Sequence, residues 1–120
     1  MIVDDEPLIR SLIEQILEDL DVEIFSADNG FDAIDMVSKI RPEIVFLDVM
    51  MPKMNGFEVC NIIKNELGIR ESNIIMLSAK SQETDKQKAV EAGADSYITK
   101  PFKVDEIICL VVNLLGLKKS

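Results

Sequence analysis

Ile44-Val45-Phe46-Leu47-Asp48-Val49-Met50-Met51-Pro52-Lys53-Met54-Asn55-Gly56 is the stretch that decides the fold. Four apolar residues, the first two β-branched, run straight into a carboxylate. A run this short and continuous reads as a strand buried on both faces, as in a parallel sheet covered by helices. Pro52 cannot join a ladder, and Asn55-Gly56 is a loop signal. Asp48 therefore falls where a central strand ends, on the lip of a sheet, where the fold itself has no need of a charge.

Upstream, Met1-Ile2-Val3 reads as a short strand ending at Asp4-Asp5. Pro7 suits the first turn of a helix. Leu8, Ile9, Leu12, Ile13, Ile16, Leu17 and Leu20 then recur at helical spacing and are expected to form its buried face, opposite Glu14, Glu18 and Asp19. Residues 22–27 look like an edge strand. Asn29 can cap a helix over residues 30–40, with Phe31, Ile34, Val37 and Ile40 inward, and Arg41-Pro42 ends it.

Downstream, Asn55 and Glu58 have the spacing of a capping box. The helix they open carries Phe57, Val59, Ile62 and Ile63 and stops at Gly68. Ile74-Ile75-Met76-Leu77 is a second buried strand, ending at Ser78. Residues 81–92 are helical, but Ala89, Val90 and Ala92 are their only apolar contribution, so this helix is expected to be weakly anchored and the most mobile. Gly93 terminates it. Ser96-Tyr97-Ile98-Thr99 is a short edge strand leading to Lys100-Pro101, and a last helix spans roughly residues 103–117. Five alternations of strand and helix with short connections imply an α/β three-layer sandwich, a five-stranded parallel sheet with helices on both faces. There is no internal repeat, linker or low-complexity tract, so residues 1–120 are expected to be one domain, either free-standing or a piece of a longer protein.

Composition narrows the function classes. The net charge of −9 argues against direct nucleic-acid binding, which needs a basic surface, and suits cationic ligands or a basic partner. No apolar run is long enough for a membrane span, and no secretory leader is visible, so a cytoplasmic location is expected. Cys60 and Cys109 lie in helical apolar patterns and read as reduced, buried thiols. The chain has no histidine, which excludes a Ser-His-Asp hydrolase, makes a zinc site improbable and means the chain cannot carry a phosphohistidine itself.

In such a sheet, sites form at the carboxyl ends of the strands. Asp4 and Asp5, Asp48, Ser78 and Lys100 all end strands. Three carboxylates within about 5 Å repel by roughly 3 kcal/mol per pair at an effective dielectric near 20, so the cluster needs cations. Lys100 supplies one. A hard divalent ion is the natural remainder, and Mg²⁺ fits because it uses few protein ligands and keeps its waters. Mg²⁺ and Lys100 can neutralise the charge that develops on a transferring phosphoryl group, Ser78 can donate to a third oxygen, and Asp48 is the best nucleophile candidate, giving an aspartyl phosphate.

These residues resemble those of the receiver domain of two-component response regulators. Val3-Asp4-Asp5-Glu6 is similar to the family's acidic start, and Leu47 to Gly56 to its phosphoacceptor strand and loop. Leu77-Ser78-Ala79 is similar to its switch hydroxyl with a small neighbour, and Gly93 to Phe102 to its fifth strand. The resemblance spans essentially the whole chain. It implies a flavodoxin-like fold with strand order 2-1-3-4-5 and a cis Lys100-Pro101 bond. It implies that Asp48 takes phosphate from a sensor histidine kinase or a histidine phosphotransfer protein. Asp5, Asp48 and the Met50 carbonyl would ligate Mg²⁺ (or Mn²⁺) directly and Asp4 through water. Ser78 and Tyr97 would be the switch, and the fourth helix, fifth strand and fifth helix the face for an output domain or downstream protein.

Two other functions compete. A Mg²⁺-dependent phosphatase with an aspartate nucleophile, like the haloacid dehalogenases, would place an Asp-x-Asp pair on the first strand; here that strand gives Asp4-Asp5-Glu6 and no cap domain follows. An interaction module with an inert acidic pocket is the third reading. The expectation is a phosphorylation-switched signalling module that catalyses its own slow phosphotransfer and is not a turnover enzyme. The last helix carries a wide apolar face (Val104, Ile107, Ile108, Val111, Leu114 and Leu115, flanked by Cys109, Leu110 and Val112), which reads as deep burial or as a surface for a homodimer or output partner.

Overall fold

Strand β3 (Ile44–Asp48) is the middle strand of a five-stranded sheet in the order β2-β1-β3-β4-β5. The computed structural model describes residues 1–79 and 83–116; the side chains of 79 and 83–85 lie outside that description. The other strands are β1 (Ile2–Val3), β2 (Ser26–Ala27), β4 (Asn73–Ala79) and β5 (Ser96–Lys100). The helices are α1 (Pro7–Leu17), α2 (Gly30–Ile40), α3 (Gly56–Asn61), α4 (Glu83–Ala92) and α5 (Val104–Leu115). Every neighbouring pair of strands runs parallel. The expected three-layer α/β sandwich and its strand order are both present.

The sheet separates two cores. On one side Val3, Val45, Leu47, Ile74 and Met76 pack under α2, α3 and α4. On the other Ile2, Ile44, Phe46, Ile75, Leu77 and Ile98 pack under α1 and α5. All of β3 is buried, as its uninterrupted apolar run requires. β1 is short but central: the Ile2 amide donates to the Phe25 carbonyl and the Phe46 amide to the Met1 carbonyl, both at 2.8 Å. β2 is shorter than the expected residues 22–27, because it forms a ladder only where β1 offers Ile2 and Val3 as partners.

The caps fall where the sequence puts them. Asn29 accepts the Asp32 amide at 2.9 Å, and Arg41 closes α2 with a left-handed φ of 53°. Asn55 and Glu58 complete a reciprocal capping box. After Asn61 the α3 helix widens into a π-helical turn, Ile62–Glu66, before Gly68 at φ +66°.

Several inward faces differ from expectation. In α1 only Ile13 and Leu17 are buried, while Leu8 is 81 % exposed and Leu12 is also exposed. This helix covers one edge of the sheet beside α5, so an apolar stripe as wide as its own has no second wall to meet. In α2, Gly30, Ala33 and Val37 face the sheet and Phe31 points outward. Small residues let α2 approach α3: a Cβ on Gly30 would lie 2.7 Å from Val59 Cγ2. In α3 and its π turn the buried column is Val59, Cys60, Ile63 and, unexpectedly, Lys64. Val90 of α4 is exposed, leaving Ala89 and Ala92 as the buried residues among that helix's described side chains. Two methyl groups contribute only about 0.8 kcal/mol each. In α5, Ile107 and Val111 are buried, Ile108, Leu110, Val112 and Leu115 are partly covered, and Val104, Cys109 and Leu114 are exposed. Ser81 and Leu117, the expected limits of α4 and α5, lie outside the described residues.

Candidate functional site

Side chains alternate across a strand with a period of two. Since Ile2, Phe46 and Ile98 face the α1–α5 side, the same parity carries Asp4, Asp48 and Lys100 onto that side at the carboxyl edge. There the three meet. The Lys100 Nζ donates to Asp48 Oδ1 at 3.0 Å and to Asp4 Oδ2 at 3.3 Å. Asp4 is fully buried and Asp48 nearly so. Asp4 is held on further sides: its Oδ1 accepts the Glu6 amide at 2.9 Å and its carbonyl accepts Arg10 Nη1 at 2.7 Å. Among the described residues no buried side-chain nitrogen or oxygen lacks a hydrogen-bond partner.

Burial dominates the electrostatics. It pushes the Asp48 carboxyl up to about 6, and the Asp4 charge adds to the rise. The Lys100 hydrogen bond and the Met50 amide, which donates to the Asp48 carboxylate, act against it. Burial alone would lower Lys100, but its bonds to Asp48 and Asp4 outweigh burial and raise it above its ordinary value. One ammonium thus serves two buried carboxylates, a deficit of positive charge at the sheet's lip.

A second cation would meet hard oxygen donors. Carboxylate oxygens of Asp4, Asp5 and Glu6 lie within 4.8 Å of one another, with Asp5 and Glu6 exposed beside the buried Asp4. Oxygen donors, some of them open to water, are what Mg²⁺ takes, since it binds through one or two carboxylates and retains water.

The floor of the site is backbone held close. The Val49 amide donates to the Leu77 carbonyl at 3.0 Å, and the Gly56 amide to the Val49 carbonyl at 2.9 Å. Gly56 packs directly against the Asp48 carbonyl, with the Met76 methyl beside it, so a Cβ there would collide with backbone. Gly56→Ala is therefore expected to displace the Asp48 end of β3 and to lower stability by about 1–3 kcal/mol, measurable as an earlier urea midpoint. Between these anchors Lys53 takes a left-handed φ of 70°, and the Met50 side chain is exposed. The Lys100-Pro101 peptide bond is cis, as the resemblance implied.

The sequence profile of the response regulator receiver domain family matches residues 1–112. The chain belongs to the response regulator receiver domain family. It is 37 % identical over 108 residues to Protein PilG of Pseudomonas aeruginosa, covering 90 % of this chain and 80 % of PilG. Among solved structures it superposes on the receiver domain of NtrX from Brucella abortus with a TM-score of 0.85 at 29 % identity, covering 98 % of each chain. It superposes equally, TM-score 0.85, on the chemotaxis protein CheY4 of Vibrio cholerae at 27 % identity, covering 94 % of each. A receiver domain of two-component response regulators is a signalling domain, not a classical turnover enzyme. Receiver domains hold Mg²⁺ in an acidic pocket and interact with sensor kinases and output domains.

In this receiver domain the expected site residues divide into two sets. Asp4 and Asp48 both bond Lys100, and Asp5 adjoins Asp4. Ser78 is buried one position past Leu77, the register partner of Asp48, and so has the opposite parity. Tyr97 is half-buried against the core under α2, α3 and α4. Clefts of about 510 and 480 Å³ flank it, one towards α4 and one towards α5. Two participants were not singled out from the sequence. Glu6 joins the acidic cluster; its signal was that it extends the run Asp4-Asp5. Arg10 reaches back from α1 to the Asp4 carbonyl, a contact that spacing alone does not announce. Among the described residues no helix is long and apolar enough to cross a membrane.

Proposed function

We propose that Asp48 is the phosphoacceptor of this receiver domain and that residues 1–120 work as one switch unit. The observation that carries the reading is the buried Asp48 carboxylate at the end of β3, 3.0 Å from a lysine ammonium that it shares with buried Asp4. An Asp48 oxygen attacks the phosphorus of a phosphohistidine on a sensor kinase or histidine phosphotransfer protein. The P–N bond breaks, and the imidazole leaves as the neutral base once protonated. Asp5, Asp48 and the Met50 carbonyl would hold Mg²⁺ (or Mn²⁺) directly, with Asp4 acting through water. When bound, the ion neutralises charge on the phosphoryl oxygens. Lys100 exchanges part of its carboxylate contact for a phosphoryl oxygen, and the Ser78 hydroxyl donates to another. The ejected imidazole is supplied by the partner, which fits a chain without histidine.

The switch reading follows from the same placement. Ser78 moves to the phosphoryl group, Tyr97 turns further inward, and the α4-β5-α5 face changes its fit to an output domain or downstream protein. The clefts on both sides of Tyr97 and the slight anchoring of α4 support it. The exposed apolar residues Val104 and Leu114 favour α5 as part of that contact, with a homodimer as one form of it. We place this activity in the cytoplasm, with no direct contact to nucleic acid, in keeping with the acidic surface.

Incubation with a small phosphodonor and Mg²⁺ tests the assignment. The expected result is a mass gain of about one phosphoryl group that is absent in Asp48→Asn and absent when the ion is chelated. Uptake that persists in Asp48→Asn would move the acceptor elsewhere. Rapid turnover of small phosphate esters would restore the phosphatase reading.

A further inference from the structure

At the other end of the sheet from Asp48 a second ion pair joins a buried lysine to an aspartate that is open to solvent. Lys64 is 4 % exposed, and its Nζ lies 2.9 Å from Asp95 Oδ2. Lysines are almost never buried to this degree without a partner. Helical spacing puts this one there: it follows Val59, Cys60 and Ile63 down the buried column of α3 and its π turn. Nothing in the phosphoryl site uses it.

The pair gathers three elements. The Asp95 Oδ2 also accepts the Ile74 amide at 2.8 Å, and the Asp95 amide donates to the Ile74 carbonyl at 2.9 Å. Asp95 thereby holds the start of β4 by both of its backbone groups. Gly93, at φ +93°, rests on the Lys64 stem, where a Cβ would come within 3.0 Å of Lys64 Cβ. The Cys60 thiol donates to the Ala92 carbonyl at 3.4 Å and ties down the last turn of α4. The carboxyl end of α4 is thus fixed by an ion pair, a glycine seat and a thiol contact. Its body is attached, among the described side chains, by two buried alanines and by Lys88, whose ammonium stands 6.0 Å above the Phe57 ring.

We propose that the Lys64–Asp95 pair is the pivot of α4, clamping the α4–β5 junction to α3 and β4 so that the helix turns about Gly93 when the phosphoryl site is filled. The proposal rests on the phosphoacceptor reading of Asp48. A ten-residue helix extends about 15 Å, from the carboxyl edge of the sheet back to the clamp. A rod gripped at one end and loosely held along its length has one soft motion, rotation about the grip. The far end then moves most, and it is the end beside the phosphoryl site.

Amide hydrogen exchange on the whole chain, at rest and with beryllofluoride plus Mg²⁺, tests this. In the parent, the amides of Ile74, Ala94 and Asp95 are expected to stay slow and to change less than twofold on activation, while those of residues 86–91 change tenfold or more. Lys64→Met keeps the stem under Gly93 and removes the ammonium. It is expected to speed exchange at Ile74, Ala94 and Asp95 at least tenfold and to spread the activation response into the junction. Lys64→Met/Asp95→Asn, which removes both charges of the pair, is expected to do the same if the single variant folds poorly. Junction amides that respond to beryllofluoride as strongly as α4 would overturn the pivot. So would junction exchange unchanged in both variants. Failure of the phosphoacceptor reading shows differently: no beryllofluoride response anywhere, or one that survives Asp48→Asn. The pivot is then overturned with it, while the resting comparison still decides the clamp.

Discussion

In metal-free protein at about pH 8, Asp48→Asn is expected to be more stable than the parent by about 2 kcal/mol, a rise in the thermal midpoint of roughly 5–10 °C. The reason is the cost of a buried charge. Asp48 titrates near 6 when folded against an ordinary 3.8. Between those values the folded state keeps a proton that the unfolded state has released, so stability falls as pH rises from about 4 to about 6 and then levels off. The full shift corresponds to about 3 kcal/mol; the variant gains less because Lys100 loses one of its two partners. The gap between parent and variant should therefore be widest at neutral and alkaline pH and close below about pH 4. The measurement is a set of urea unfolding curves across that range. A variant no more stable than the parent at pH 8 would mean that the Asp48 charge is already compensated. Mg²⁺ should narrow the gap by stabilising the parent alone.

Lys100→Met is expected to act in the opposite sense and more strongly, costing about 3–5 kcal/mol near neutral pH. It removes the one ammonium that bonds both Asp48 and Asp4 and leaves two buried carboxylates facing each other. Lys100 is held above its ordinary value by these bonds, so in the parent its own proton is retained below pH 10.5 and, while the carboxylates are ionised, its contribution is lost only at higher pH. The deficit of the variant has a different pH dependence. Acid neutralises the stranded Asp48 carboxylate, which burial and the loss of the ammonium both push upward, so the loss should shrink as pH falls. Lys100→Met/Asp48→Asn should be markedly more stable than Lys100→Met alone, because one stranded charge is gone. Equal stability of the two would show that the ammonium and the Asp48 carboxylate do not interact energetically.

The sequence was informative where one physical rule acted alone. The run from Ile44 to Leu47 could only be a two-sided strand, and it is buried throughout. Asn55 and Glu58 had no competitor for the α3 cap. The strand-end positions of Asp4, Asp48 and Lys100 followed from where the apolar runs stop, and the three side chains do converge. It was less informative where tertiary contacts chose among equivalent options. The α1 helix has more apolar residues than the sheet edge can cover, and periodicity could not say that Leu8 and Leu12 would be left out. Phe31 looked like a core residue, but the close approach of α2 to α3 at Gly30 favours the small side of the helix. Lys64 carries no signal in the sequence, because its partner Asp95 lies thirty-one positions later. Such a pairing is visible only once the β4–β5 register is known.

The sheet is a single layer of backbone, and its two faces hold different things. Asp4, Asp48 and Lys100 belong to one side and Tyr97 packs on the other. Residues beneath the tyrosine can therefore drift, and with them the shape offered to a listener, without disturbing the carboxylates on the reverse. A duplicated copy of such a gene could acquire a new audience while its chemistry stayed untouched.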